Sequence, residues 1–133
     1  DGLHLRSGPV EGRNLVAIDW QPRPPAVGAA EGEPVPELMT WAALECPLAR
    51  ALELPGMKTE DELIVLGRMT ARIDALPRVG QQHFFMAWPL ERVGRRLEIA
   101  GTLHDGEGAL LAAAALTFVV LKAGVSYDSL GQN

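Results

Sequence analysis

Glu45 and Cys46 stand side by side in Thr40-Trp41-Ala42-Ala43-Leu44-Glu45-Cys46-Pro47, a stretch that is otherwise apolar apart from Thr40. A carboxylate in such surroundings can serve as a general base or a nucleophile. It can equally be structural, satisfied by an arginine or by backbone N–H groups, because ion-pair networks also hold carboxylates in apolar places. A thiol becomes a nucleophile when a base or cation lowers its pKa. No histidine is close to Cys46 in sequence, and adjacent helical positions point about 100° apart. Cys46 is therefore read as a small buried packing residue.

The three histidines, His4, His83 and His104, are scattered. No pair has metal-ligand spacing, so no metal is expected, and no other cofactor. His104 beside Asp105 reads as a surface pair. Arg68 and Arg72 alternate with apolar residues and share a strand face with Thr70 and Asp74. That face is either a solvated or dimer-facing polar strip or a source of an ion pair to Glu45. Arg92, Arg95 and Arg96 crowd around Gly94. Turn arginines are as a rule solvated, though such a cluster suits a phosphate group. Trp20, Trp41 and Trp88 read as core or interface.

The elements that must hold these residues follow from pattern. A chain of 133 residues is expected to form one domain with a real core. Residues 1–122 should form it, with 123–133 as a patternless tail. The apolar share of 47% supports a globular fold, and a net charge of −5 argues against a general polyanion binder such as a nucleic-acid-binding protein. The single cysteine permits no internal disulfide, which fits the cytoplasm. No window approaches the ~20 apolar residues of a membrane span. The first residues do not read as a signal peptide. The chain begins at Asp1 rather than Met, so it is expected to start inside a longer gene product.

Residues 3–6 and 15–20 read as short strands, with turn chemistry at Gly8-Pro9 and Gly12-Arg13-Asn14. Residues 21–36 hold five prolines and two glycines, the composition of a loop that is functional or mobile. Residues 37–53 read as a helix. Pro36 suits its first position, Leu38, Trp41, Leu44, Leu48 and Leu52 follow helical spacing, and the alanines extend the apolar surface nearly all round. Pro47 should kink or split it. Alternation then predicts strands at 63–74, 82–90 and 96–104, and Asp105-Gly106 predicts a hairpin. In 109–122 the alanine run favours helix while Thr117–Leu121 favours strand. Entry from a hairpin decides for a long, mostly buried strand.

That order, together with the Gly67-Arg68 strand, the Pro77-to-Gly80 and Gly94-Arg95 turns and the Asp105-Gly106-x-Gly108 hairpin, resembles the hotdog fold of the thioesterase-like superfamily. The stretch "WAALECP" is similar to the helix of uncharacterised, often actinobacterial, hotdog proteins reading Trp-Ala-Ala-Leu-Asp/Glu-Cys-Pro. The resemblance implies an α+β fold in which an antiparallel β-sheet wraps around one central helix. It also implies a homodimer, or a tetramer built from it, with an acyl-CoA-type site at the subunit interface. Many such thioesterases carry a catalytic acid on the central helix, which here falls on Glu45. The backbone N–H groups of Leu38, Met39 and Thr40, two turns earlier, would hold the thioester carbonyl, and Arg68 and Arg72 would meet coenzyme A phosphates. Many relatives carry a His-Gly-Gly run before the helix, where this chain has Pro34-Val35-Pro36-Glu37-Leu38-Met39. Three readings therefore stand: an acyl-CoA thioesterase, a non-catalytic acyl or small-ligand binding protein, and a structural dimeric domain.

Overall fold

The computed structural model describes residues 6–9, 14–24 and 29–122. Its strands are β1 (Arg6–Pro9), β2 (Val16–Trp20), β3 (Ile64–Ile73), β4 (His83–Val93), β5 (Arg96–Asp105) and β6 (Leu110–Val120). They form one antiparallel sheet in the order β1-β2-β4-β5-β6-β3. A helix, α1 (Glu37–Leu48), lies across β4 and β5 and runs on into a 3-10 turn, Ala49–Glu53. The expected layout of one helix held by one antiparallel sheet is borne out.

The core forms where the inward residues of the sheet meet one side of α1. Ile18 and Trp20 on β2, Phe85 on β4, Leu97, Ile99 and Leu103 on β5 and Leu116 on β6 are almost wholly buried. Thr40, Ala43, Leu44, Pro47 and Leu48 face them from the helix. Gly101 stands in the inward row of β5, under Leu48, and lets the helix approach the sheet closely. The disputed segment is strand: β6 pairs with β5 on one side and β3 on the other. Two ladders of hydrogen bonds outweigh alanine's helical preference, which is a weak prior against tertiary pairing.

Several boundaries differ from expectation. Gly8 and Pro9 are not a turn but part of β1, opposite Ala17 and Val16. An edge strand tolerates proline, because nothing on its open side needs the missing N–H. Residues 3–5 of that predicted strand lie outside the described residues, as does the tail from 123. The helix does split at its proline, but one residue beyond it, with the α-helix ending at Leu48. Pro47 offers no N–H to the carbonyl four residues earlier, so the last turn tightens to 3-10. Pro36 is the N-cap rather than the first helical residue, with φ −55° and ψ 145°. In β3, Gly67 forms a bulge between Leu66 and Arg68. The bulge switches the phase, so Ile64 packs on the core before it and Met69, Ala71 and Ile73 after it.

The proline-rich segment is tied down over its described part. The N–H of Gly32 donates to Val79 O at 3.0 Å, that of Val79 to Glu33 O at 2.9 Å and that of Val35 to Pro77 O at 2.8 Å. Val35 and Val79 are buried beneath this short ladder. The lead-in to α1 is therefore fixed against the turn that precedes β4.

At the other end of the molecule, Arg92 clamps Glu62. Its Nη1 and Nη2 donate to the two carboxylate oxygens at 2.7 Å each, and Nη1 also donates to Met57 O at 2.8 Å. The Arg92 hydrogen bonds, with the Thr59 N–H, hold the Glu62 carboxyl down from 4.5 to about 2. A carboxyl with a lowered folded pKa stabilises above its unfolded value, and that contribution disappears as pH falls from about 4.5 to about 2. Wild type should accordingly lose more stability between pH 5 and pH 2 than Glu62→Gln, read as the shift in urea midpoint. Equal shifts would contradict the clamp.

Candidate functional site

Helix α1 has two sides, and only one is covered. Leu38 is 79% exposed, Ala42 and Cys46 are exposed, and Met39, Trp41 and Glu45 are half-buried. The helix was expected to be surrounded by protein. Within one chain its apolar surface instead stands open along one side, because α1 packs mainly on β4 and β5 and meets β3 only near its start. Cys46 is accordingly exposed, not a packing residue. Its position one step past Glu45 turns it away from the sheet, and sequence spacing alone could not say which side the sheet would take.

Glu45 stands on the flank of the open side. Seven residues separate it from Leu38, so the two positions return to within about 20° of each other round the helix. No hydrogen bond or ion pair engages the Glu45 carboxylate among the described residues. The expected alternative, a carboxylate satisfied by an arginine or by backbone N–H groups of its own chain, is therefore absent among those residues.

The three backbone donors divide. Thr40 N–H donates to Pro36 O at 3.0 Å and its hydroxyl to the same oxygen at 3.1 Å, and Thr40 is fully buried. Thr40 is thus occupied and cannot hold a ligand carbonyl, a correction to the expected donor set. The N–H groups of Leu38 and Met39 precede the first intrahelical bond and have no backbone partner among the described residues. Beside them a shallow cleft is lined by Glu37, Ile73, Asp74, Ala75 and Leu76, where the helix start meets the end of β3. A second cleft, lined by Leu52, Glu53, Lys58, Thr59 and Glu60, lies past the 3-10 turn. Neither includes Glu45.

Arg68 and Arg72 are exposed on β3 and alternate with the core-packed Met69, Ala71 and Ile73. They therefore stand on the face of the sheet away from α1 and do not meet Glu45 in the same chain. Arg72 pairs instead with Asp74, Nε to Oδ1 at 3.2 Å. Of the turn arginines, Arg92 is committed to Glu62, and Arg95 donates to Val120 O at 3.3 Å.

The histidines have local roles. His83 is buried against Trp20; its Nε2 accepts the Arg78 N–H at 3.2 Å, which leaves Nδ1–H to donate to Gln81 O at 2.9 Å. Burial pushes its pKa down, which keeps this neutral tautomer. His104 is half-buried rather than fully at the surface, stacked on Phe84 with Nε2 at 2.8 Å from Thr102 Oγ1. His4 lies outside the described residues. No cluster of metal-ligating side chains occurs among the described residues. No helix among them is long and apolar enough to cross a membrane.

The sequence matches no protein-family model and no curated protein. Solved structures do match. A thioesterase from Haemophilus influenzae is 14% identical with a TM-score of 0.75, covering 95% of this chain and 84% of its own. A Streptococcus mutans protein bound to acetyl CoA is 8% identical with a TM-score of 0.70, covering 89% of each chain. A hypothetical thioesterase with coenzyme A from Streptococcus pneumoniae is 8% identical with a TM-score of 0.71, covering 89% of this chain and 86% of its own. The chain therefore has the hotdog fold of thioesterase-superfamily proteins. The narrower likeness to "WAALDCP" proteins has no match among these.

Proposed function

We propose that the chain is a thioesterase-like hydrolase of an acyl-CoA or a related acyl thioester, acting as a homodimer. The observation that carries this reading is the open flank of α1. Among the described residues Glu45 presents a carboxylate without a partner, two turns from the N–H groups of Leu38 and Met39, which have no backbone partner there. The N–H groups at a helix start lie at the positive end of the dipole and stabilise an oxyanion as a thioester carbonyl is attacked. Glu45 then draws a proton from the attacking water, and the tetrahedral intermediate breaks its C–S bond to release the carrier thiolate, which takes up that proton. In the alternative, Glu45 attacks the carbonyl itself, expels the thiolate and leaves a mixed anhydride that water hydrolyses. The neighbours that carry coenzyme A in the same fold support this substrate class.

A second copy is part of the proposal. β3 is an edge strand with an open ladder, and exposed edges invite pairing. Pairing there sets the partner's strands against the open side of α1, and the acyl chain lies between them. Arg68, exposed on that edge, is assigned to the carrier's phosphates, with Arg72 shared with Asp74. The lone cysteine agrees with action in the cytoplasm.

One observation favours a second reading, a binding protein without turnover. The residues leading into α1, Val35 and Pro36, are pinned and carry no glycine to admit a ligand against the backbone. A panel of short- to long-chain acyl-CoA esters, followed for free thiol, separates the two. Turnover of at least one ester is expected. Binding seen by native mass spectrometry with no thiol release would favour the second reading, and neither binding nor turnover would refute both.

A further inference from the structure

We propose that His83 is a positioning residue for the start of α1: its neutral ring latches the turn Pro77–Gly80, to which the lead-in to α1 is tied, and a proton on that ring opens the latch. The ring is almost wholly buried and lies 5.7 Å from the Trp20 ring on β2. Nε2 accepts the Arg78 N–H at 3.2 Å while Nδ1–H donates to Gln81 O at 2.9 Å. Only the neutral tautomer with its proton on Nδ1 makes both bonds at once. A second proton turns Nε2 into a donor facing a donor, and the Arg78 N–H loses its acceptor.

Arg78 stands in the middle of the ladder that holds the lead-in. It bridges Pro34; beside it Val35 N–H donates to Pro77 O, Gly32 N–H to Val79 O and Val79 N–H to Glu33 O. The same turn is tied to the end of β2, where Gln21 Nε2 donates to Gly80 O at 2.8 Å. Val35 lies just before the helix start, so play in this ladder passes to the Leu38 and Met39 N–H groups. That consequence for a bound thioester rests on the reading above; the latch itself does not.

Among the described residues few charges face the ring. Asp105, opposite on β5, favours the proton, but its Oδ1 already accepts the N–H groups of Glu107 and Ala109. Asp19 on β2 and His104 on β5 belong to the other face of the sheet, that of Phe84. In the turn and lead-in, Arg78, Glu31 and Glu33 are exposed, and Arg23 bonds Gln21. The buried side of α1 carries no titratable group. Burial therefore outweighs the Gln81 bond and Asp105, and pushes the His83 pKa below its ordinary 6.5. With the folded value the lower one, the latch is closed above 6.5 and loosens as pH falls through the folded value.

The test follows the whole chain by NMR from about pH 7.5 to about pH 5, the range in which histidine titrates. It reads the His83 ring signals and the exchange protection factors of the Gly32, Val35, Arg78 and Val79 amides, in wild type and His83→Gln. Glutamine places an oxygen near the site of Nε2 and takes up no proton. In wild type these protection factors should fall by about tenfold at the midpoint of the His83 titration, while amides of β5 and β6 keep theirs. In the variant they should stay constant. If the variant fails to fold, the shared midpoint and the confinement to the turn and lead-in still decide from wild type alone. Unchanged protection while the ring titrates, a ring neutral throughout, a fall of equal size across the sheet, or the same fall in His83→Gln would each overturn the inference. None of these readouts uses an ester, so a chain without turnover would remove the thioesterase reading and leave the latch standing.

Discussion

Glu45→Gln should reduce turnover of the best acyl-CoA ester by roughly 10²–10⁴-fold, the range a general base supplies. That equals about 3–5 kcal/mol of transition-state stabilisation. Glutamine keeps the shape and hydrogen-bonding reach of glutamate but cannot take a proton. Substrate contacts at Leu38 and Met39 are backbone groups that the substitution leaves in place, so KM should change little and kcat and kcat/KM should fall together. Position 45 is half-buried and engages no partner among the described residues, so the variant should melt close to wild type. A loss of activity that tracks a loss of fold would place Glu45 in the structure rather than in the chemistry. Equal rates in both proteins would remove it from the site.

Gly101→Ala should be the most damaging single-methyl substitution on β5. A Cβ at this position would meet the Leu48 side chain and would come within 2.5 Å of the Met86 carbonyl oxygen. Leu48 can shift only by moving α1 off the sheet, and Met86 O belongs to the neighbouring strand. Overpacking of this kind typically costs about 1–3 kcal/mol. In a domain of this size that lowers Tm by roughly 5–10 °C. Because the strain is relieved by lifting α1, the same variant should also lower activity. A melting temperature equal to or above that of wild type would show that the helix does not rest on this glycine.

Much of the fold was legible because its signals are local. The alternation of Leu97, Ile99 and Leu103 and the Asp105-Gly106 turn fixed β5 and its hairpin to β6, and that hairpin in turn settled the alanine-rich segment as strand. The bulge at Gly67 was less visible. A lone glycine in a strand signals one, but alternation carried straight through it puts Leu63 and Val65 on the face of Met69, Ala71 and Ile73, whereas the bulge brings Ile64 to the core instead. Other features depended on long-range contact. The Arg92–Glu62 clamp joins residues 30 apart in sequence. The proline-rich lead-in had the composition of a free loop, yet Val35 is buried beneath the turn at Pro77–Val79. The helix periodicity identified which residues line α1 but not which of its two apolar sides the sheet would cover. For that reason Leu38 and Cys46 proved exposed and Thr40 proved to be committed to Pro36, while Glu45 and Leu38 still share a flank.

The central claim is that a thioester carbonyl sits at the start of α1 with Glu45 beside it. A crystal structure of Glu45→Gln soaked with the acyl-CoA ester that wild type hydrolyses best tests this most directly. The account predicts an intact thioester with its carbonyl oxygen about 3 Å from the backbone nitrogen of Leu38 or Met39, and the residue 45 amide about 3–3.5 Å from the carbonyl carbon. A thioester bound elsewhere, such as in the cleft between Leu52 and Glu60, would contradict it.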